Sequence, residues 1–128
     1  MSAVLERERA AGEQARPATA RVAFVAGGMG GIGTGICRRL AAAGHTVVAG
    51  CLPDYDKKAE WLAAMRGEGL RVHAAEGDVA EFESCAEMFY HVRSVVGPVD
   101  ILVNNAGITR DSIFKRMTEQ DWMAVINT

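Results

Sequence analysis

Aromatic residues are scarce in this chain, at 6% of 128 residues, and no apolar run approaches the length of a membrane span. A helical membrane protein is excluded on that ground, and no membrane partner is expected. Neither sign of charge is in large excess. A formal net charge of −2 makes nucleic acid and an anionic surface poor partners. Cysteine is rare as well: Cys37, Cys51 and Cys85 show neither metal nor disulfide spacing. Cys37 and Cys85 fall on apolar helix faces, so the expectation is a reduced, cytoplasmic chain. His45, His73 and His91 share no ligand spacing, and no metal site is expected. Residues 1–20 have neither the apolar stretch of a secretory signal nor the low acidity of a transit peptide. They read as a poorly ordered extension.

What the chain has is glycine, and the glycines are clustered. Val22–Gly33 is an apolar run that ends in five glycines within seven residues and then opens into a helical pattern. A strand, a glycine turn and a helix in that order bring backbone against a dinucleotide pyrophosphate. Gly27 permits a tight turn off the strand, Gly31 leaves room for phosphates, and Gly33 lets the helix pack close to the strand. The N–H groups of the helix's first turn, with its positive dipole end, would face the anion. Ile32, Ile36, Cys37 and Leu40 recur at helical spacing, Gly44 marks the stop, and His45–Ala49 supplies a second strand. The βαβ unit closes within about thirty residues, as dinucleotide binding requires.

The alternation continues. Asp54 is a candidate cap for a helix through residue 68, with Trp61, Leu62 and Met65 inward. Leu70–Ala75 reads as a third strand. Phe82, Cys85, Met88, Phe89, Val92 and Val96 form the stripe of the next helix, stopped by Gly97-Pro98. Val99–Val103 is a fourth strand, and Thr118 with Asp121 forms a capping box for a last helix. The fold class is α/β, a Rossmann-like doubly wound parallel sheet of which this chain holds the N-terminal part. The expected strand order is 3-2-1-4, with a ligand across the strand ends between strands one and four. Strand four would lie at an edge although its Ile101–Val103 run is apolar, an arrangement that invites association.

Gly27, Gly31 and Gly33 form G-x-x-x-G-x-G, which resembles the short-chain dehydrogenase/reductase family's T-G-x-x-x-G-x-G, with Ala26 in the threonine's place. The family's threonine can hydrogen-bond the strand-four loop; alanine cannot. Asn104-Asn-Ala-Gly107 resembles the family's N-N-A-G motif, whose first asparagine helps hold the sheet together and whose backbone lines the nicotinamide ribose. Gly77-Asp78-Val79 matches the place where the family's aspartate binds the adenine ring. The resemblance implies a cofactor site of Gly27, Met29, Gly30, Gly31, Ile32 and Gly33. To these it adds Gly77, Asp78 and Val79, then Asn105, Ala106, Gly107, Ile108 and Thr109. Within the family, the segments Gly27–Thr34, Val47–Cys51 and Asn105–Asp111, with Met117-Thr118 and Asp121-Trp122, resemble bacterial acetoacetyl-CoA reductases of polyhydroxybutyrate synthesis. The 3-oxoacyl-carrier-protein reductases share the later block but carry a basic residue in the glycine turn, where Met29 and Gly30 stand here. A non-catalytic nucleotide sensor on the same fold is the rival of another class.

NAD-selective relatives place an acid at the end of strand two, a place that falls on neutral Cys51, with Lys57 and Lys58 shortly after. NADP(H) is therefore the expected cofactor. The two lysines have a second reading as a solvated helix surface, and Asp54 and Asp56 lower the local potential. Asp111 matches a substrate-side position, toward acetoacetyl-CoA or a similar 3-oxoacyl thioester. Arg110, Lys115 and Arg116 could help a CoA phosphate, but read more simply as a solvated loop or an oligomer contact. The family's catalytic tyrosine, lysine, serine and asparagine all lie beyond the matched segment, so no catalytic residue is expected in this chain. Tyr55 and Tyr90 precede the N-N-A-G block and cannot be the proton donor. The chain is expected to end inside a helix, making residues 21–128 a partial NADP-binding domain truncated at its C-terminus. The whole enzyme is expected to form a homo-oligomer.

Overall fold

The computed structural model describes residues 20–128. The expected N-terminal extension, residues 1–19 of it, lies outside the described residues. Strands β1 (Val22–Val25), β2 (Thr46–Cys51), β3 (Val72–Glu76) and β4 (Ile101–Val103) alternate with helices α1 (Gly31–Ala42), α2 (Lys58–Gly67) and α3 (Phe82–Val95). A 3-10 turn at Phe114–Arg116 and helix α4 (Glu119–Asn127) follow β4. All pairings are parallel and the sheet runs β3-β2-β1-β4, as the alternation implies.

Strand β1 is buried along its whole length because it has a strand on either side and helices over both faces. On one face Val25, Val47, Ala49 and Val72 pack with Cys37 and Ala41 of α1 and Met65 of α2. On the other Val22, Phe24, Val48 and Ala75 meet Met88 and Val92 of α3. The rings of Phe24 and Phe89 lie 4.6 Å apart in a tilted pair. Side chains as completely buried as Phe24 and Met65 each contribute roughly 1.5–3 kcal/mol. Two polar contacts add to the packing of α1 on α2 and its C-terminal cap: the Trp61 indole N–H donates to Thr34 Oγ1 at 2.9 Å, and Arg38 forms a forked pair with Glu68. The second is half-exposed and adds little stability.

Three local expectations are corrected. Asp54 does not cap α2. The chain first makes two turns, Tyr55 N–H to Leu52 O and Lys58 N–H to Tyr55 O, which place Lys57 at the cap position. Phe82 opens α3 but is 83% exposed, so the buried stripe begins a turn later at the half-buried Cys85. Strands β2 and β3 run one or two residues further than the hydrophobic pattern, to Cys51 and Glu76, because ladder pairing continues through Gly50↔Ala75 and Cys51↔Glu76. The Thr118–Asp121 capping box forms reciprocally at the head of α4. Strand β4 is an outer strand of the described sheet, with Leu102 of its apolar run 53% exposed. Among the described residues no helix is long and apolar enough to cross a membrane.

The glycine turn shows why α1 lies so close to β1. A Cβ on Gly33 would collide with the Gly27 carbonyl oxygen and stand 2.8 Å from Gly28 Cα, whereas a Cβ on Gly35 would meet nothing within 4 Å. Both glycines lie in α1, so the two substitutions separate helix propensity from crowding. Gly33→Ala is expected to destabilise by about 1–3 kcal/mol through overpacking. Gly35→Ala should stabilise by up to about 1 kcal/mol through propensity alone. Urea midpoints of both variants against the parent measure this. A Gly33→Ala midpoint at or above the parent's would show that the turn yields.

Candidate functional site

A cleft of about 490 Å³ opens at the C-terminal ends of β1, β2 and β4. This is the switch point of the winding, where successive strands leave in opposite directions and leave a crevice. Its floor is the turn between β1 and α1. Gly27 adopts φ 63°, a left-handed conformation that favours glycine, and a Cβ there would come within 2.9 Å of Ala106 Cα. Gly28, which the sequence reading did not single out, is as tightly held: its Cβ would stand 2.7 Å from Ala49 Cβ. Beyond them Gly30, Gly31 and Ile32 are exposed, and a Cβ on Gly31 would meet nothing within 4 Å. The backbone there faces open space.

The first turn of α1 carries no side-chain cap and no acidic residue. Helices α2, α3 and α4 each have an acid in the first turn. The leading N–H groups of α1 have no carbonyl of their own helix to bond, and its positive end is left uncompensated. An anion is the complement to that arrangement.

The β4 wall is built by the asparagine motif. Asn105 Nδ2 donates to the carbonyls of Ala26 (3.1 Å) and Gly27 (3.2 Å), while Asn104 is exposed. The tie between the glycine turn and the β4 loop is made by the second asparagine. The pleat explains which asparagine reaches the turn: alternation puts Asn104 on the side of the exposed Leu102 and Asn105 on the side of Val103. Ala26 needs no hydroxyl to join β4, because its own N–H reaches Val103 O at 3.0 Å. Its side chain is buried among Phe24, Val48 and Ala106.

The β2 wall consists of Gly50, Cys51, Leu52 and Tyr55. The spacing argument identified Cys51 alone. Tyr55 belongs to a turn after the strand, and only the fact that an aromatic stood in a loop could have marked it. Burial and the charge of Glu76 raise the Cys51 thiol above its ordinary pKa, against a smaller lowering by Lys58, so the thiol is neutral at physiological pH. Buried Cys37, under the same turn, is raised to about 11 by desolvation.

Of the residues implied by the resemblance, Gly27, Met29, Gly30, Gly31, Ile32 and Gly33 meet Cys51 in this cleft, as do Asn105, Ala106 and Gly107. The others lie outside its lining. Lys57 is exposed at the head of α2, and Lys58 is turned to Glu76, Nζ to Oε1 at 2.5 Å. Asp78 folds back on its own loop, Oδ1 accepting from Ala80 N–H, with Gly77 packed on Met88 and Val79 facing a second, apolar hollow. Ile108, Thr109 and Asp111 are exposed beyond β4. Among the described residues no cluster suited to a metal ion occurs. The titratable groups lining the cleft are Cys51 and Tyr55, both on its β2 side.

A parallel sheet wound β3-β2-β1-β4, with a glycine-floored anion cradle at its switch point, defines a nucleotide-binding α/β unit. The short chain dehydrogenase pattern matches residues 21–128, and the chain belongs to that family. It is 53% identical over 110 residues to the acetoacetyl-CoA reductase of Cupriavidus necator, covering 86% of this chain and 45% of that protein. The acetoacetyl-CoA reductase of Allochromatium vinosum is 51% identical over 109 residues, covering 84% and 44%. Among solved structures, an actinorhodin polyketide ketoreductase variant with NADPH superposes at TM-score 0.79 and 29% identity, over 85% of this chain and 41% of that one. The chain spans less than half the length of these relatives.

The Asn105 tie predicts unequal costs for neighbouring substitutions. Asn105→Ala removes the donor from two carbonyls and is expected to lower stability by about 1–3 kcal/mol. Asn104→Ala, at an exposed position, should change it by less than about 0.5 kcal/mol. Thermal or urea denaturation of the pair checks this, and equal losses would contradict the assignment of the tie to Asn105.

Proposed function

We propose that this chain is the cofactor-binding part of an NADPH-dependent reductase. The whole protein converts acetoacetyl-CoA to (R)-3-hydroxybutyryl-CoA for poly(3-hydroxybutyrate) synthesis. Residues 21–128 serve as its dinucleotide-binding domain. The observation that carries this reading is the open cradle at Gly30–Ile32, joined to the identity with acetoacetyl-CoA reductases over about 110 residues.

The residues fit such a cofactor. The uncapped first turn of α1 holds the pyrophosphate by backbone N–H groups, and Gly31 admits it without a side chain in the way. Ala106 and Gly107, fixed against the glycine turn by Asn105, line the nicotinamide ribose. Neutral Cys51 and apolar Leu52 border the adenosine end, where an acid would repel a 2′-phosphate. Lys57, exposed at the head of α2, and Lys58, once drawn from Glu76, supply positive charge for it, and Asp78 reads the adenine. Ile108, Thr109 and Asp111 follow on the substrate side. When bound, the reduced nicotinamide supplies the hydride. The cleft orients that cofactor and keeps its phosphates paired. Proton donation to the substrate oxygen falls to residues of the whole protein beyond this cleft.

The test is cofactor oxidation by the full-length protein with acetoacetyl-CoA, using NADPH and NADH in parallel. Turnover with NADPH is expected to exceed turnover with NADH. Faster reduction of a 3-oxoacyl-carrier-protein than of acetoacetyl-CoA would move the assignment to fatty-acid synthesis. Cys51→Asp should swing the ratio of catalytic efficiencies toward NADH by at least about tenfold, through repulsion of the 2′-phosphate and a new acceptor for a free ribose hydroxyl. An unchanged ratio would remove Cys51 from the site.

A further inference from the structure

Lys58 does not reach into the cleft, and the reason is a residue on another strand. Cys51 and Glu76 are direct ladder partners at the ends of β2 and β3, tied by the Gly77 N–H to Cys51 O bond of 2.9 Å. Residues in parallel register point to the same face. That face carries α2: Val47, Ala49 and Cys51 pack there with Val72, Ala74 and Met65. The Glu76 carboxylate therefore stands one strand over from the cleft wall, in front of the head of α2, where it holds the Lys58 ammonium.

We propose that Glu76 is a specificity-determining residue for the cofactor: its carboxylate withholds Lys58 from the cleft and opposes the second phosphate of NADP(H). The proposal rests on the reading that the cleft binds NADP(H). β2 ends on neutral Cys51, and the carboxylate of its ladder partner Glu76 stands one strand over. That carboxylate is partly neutralised by a lysine.

Three features support it. The charges of Glu76 and Lys58 both act on the Cys51 thiol, in opposite directions, so both are felt at the cleft wall. The pair is about 40% exposed on each side, at 37% and 42%, so it is held weakly enough for a phosphate dianion to recapture the lysine. Asp54 and Asp56 precede Lys57 and Lys58 in the segment between β2 and α2, so the two lysines bring that segment no net positive charge. NADPH has to break the Lys58–Glu76 pair and approach the remaining carboxylate. NADH does neither. Glu76 thus lowers affinity for one cofactor and not for the other.

The test measures dissociation constants for NADPH and NADH by cofactor fluorescence on the full-length protein, for the parent, Glu76→Gln, Lys58→Ala and the double variant. Glu76→Gln keeps the size of the side chain and removes its charge. It is expected to tighten NADPH about 3- to 10-fold while NADH changes less than about twofold, and the gain should shrink at high salt. In the Lys58→Ala background the gain should fall by more than half. Equal tightening of both cofactors, no tightening of NADPH, or weaker NADH binding alone would overturn the proposal. An undiminished gain without Lys58 would overturn the part played by that lysine. Unchanged NADH binding also shows that the variant is folded. The parent's own preference is a separate reading: tighter binding of NADH than of NADPH would refute the NADP(H) assignment, whatever the response to Glu76→Gln.

Discussion

The structure depends on one close approach, that of backbone to backbone where β1 turns into α1. Gly27, Gly28 and Gly33 face Ala106, Ala49 and each other at distances that admit no Cβ. Because these atoms touch, α1 lies against β1, the loop after β4 lies against the turn, and the strand ends converge around one crevice. A side chain at any of these places would push the helix or the loop away, and the cleft would widen before the core was lost. The amide of Asn105 acts on the same junction by hydrogen bonding, capturing two carbonyls of the turn. Packing and polar satisfaction fall on the same few residues. Stability and ligand geometry are for that reason hard to vary separately here.

Electrostatics then divides the cleft into unlike halves. At the α1 end nothing neutralises the helix dipole, whereas the other described helices carry acids in their first turns. At the β2 end there is a neutral thiol, and behind it a carboxylate and a lysine in contact. An anion is strongly favoured in the first half. In the second, a further negative charge is decided by small differences among nearby side chains.

Much of this was legible in the sequence because it depends on neighbours along the chain. The glycine spacing, the helix stops at Gly44 and Gly97, and the Thr118–Asp121 box are local signals, and each appears in its expected place. The strand order followed from alternation and handedness. What the sequence hid depends on register. Lys58 and Glu76 are 18 positions apart and meet only because β2 pairs with β3 as Cys51↔Glu76. The choice between Asn104 and Asn105 depends on the pleat of a strand only three residues long. Asp54 was a plausible cap by residue type, yet the turn after Leu52 moved the start of α2 beyond it. Tyr55 reached the cleft through that same turn.

The indole of Trp61, fastened to the Thr34 hydroxyl between α2 and α1, gives the molecule a built-in optical gauge. Thr34 is the residue after Gly33, so the chromophore is anchored next to the crowded turn and half shielded from solvent. Trp122, on α4, is exposed and is expected to emit as a solvated indole. Separation of the two helices would free the indole N–H and red-shift one component of the emission while the other stayed still. The seam that shapes the crevice can thus be watched in solution without a label.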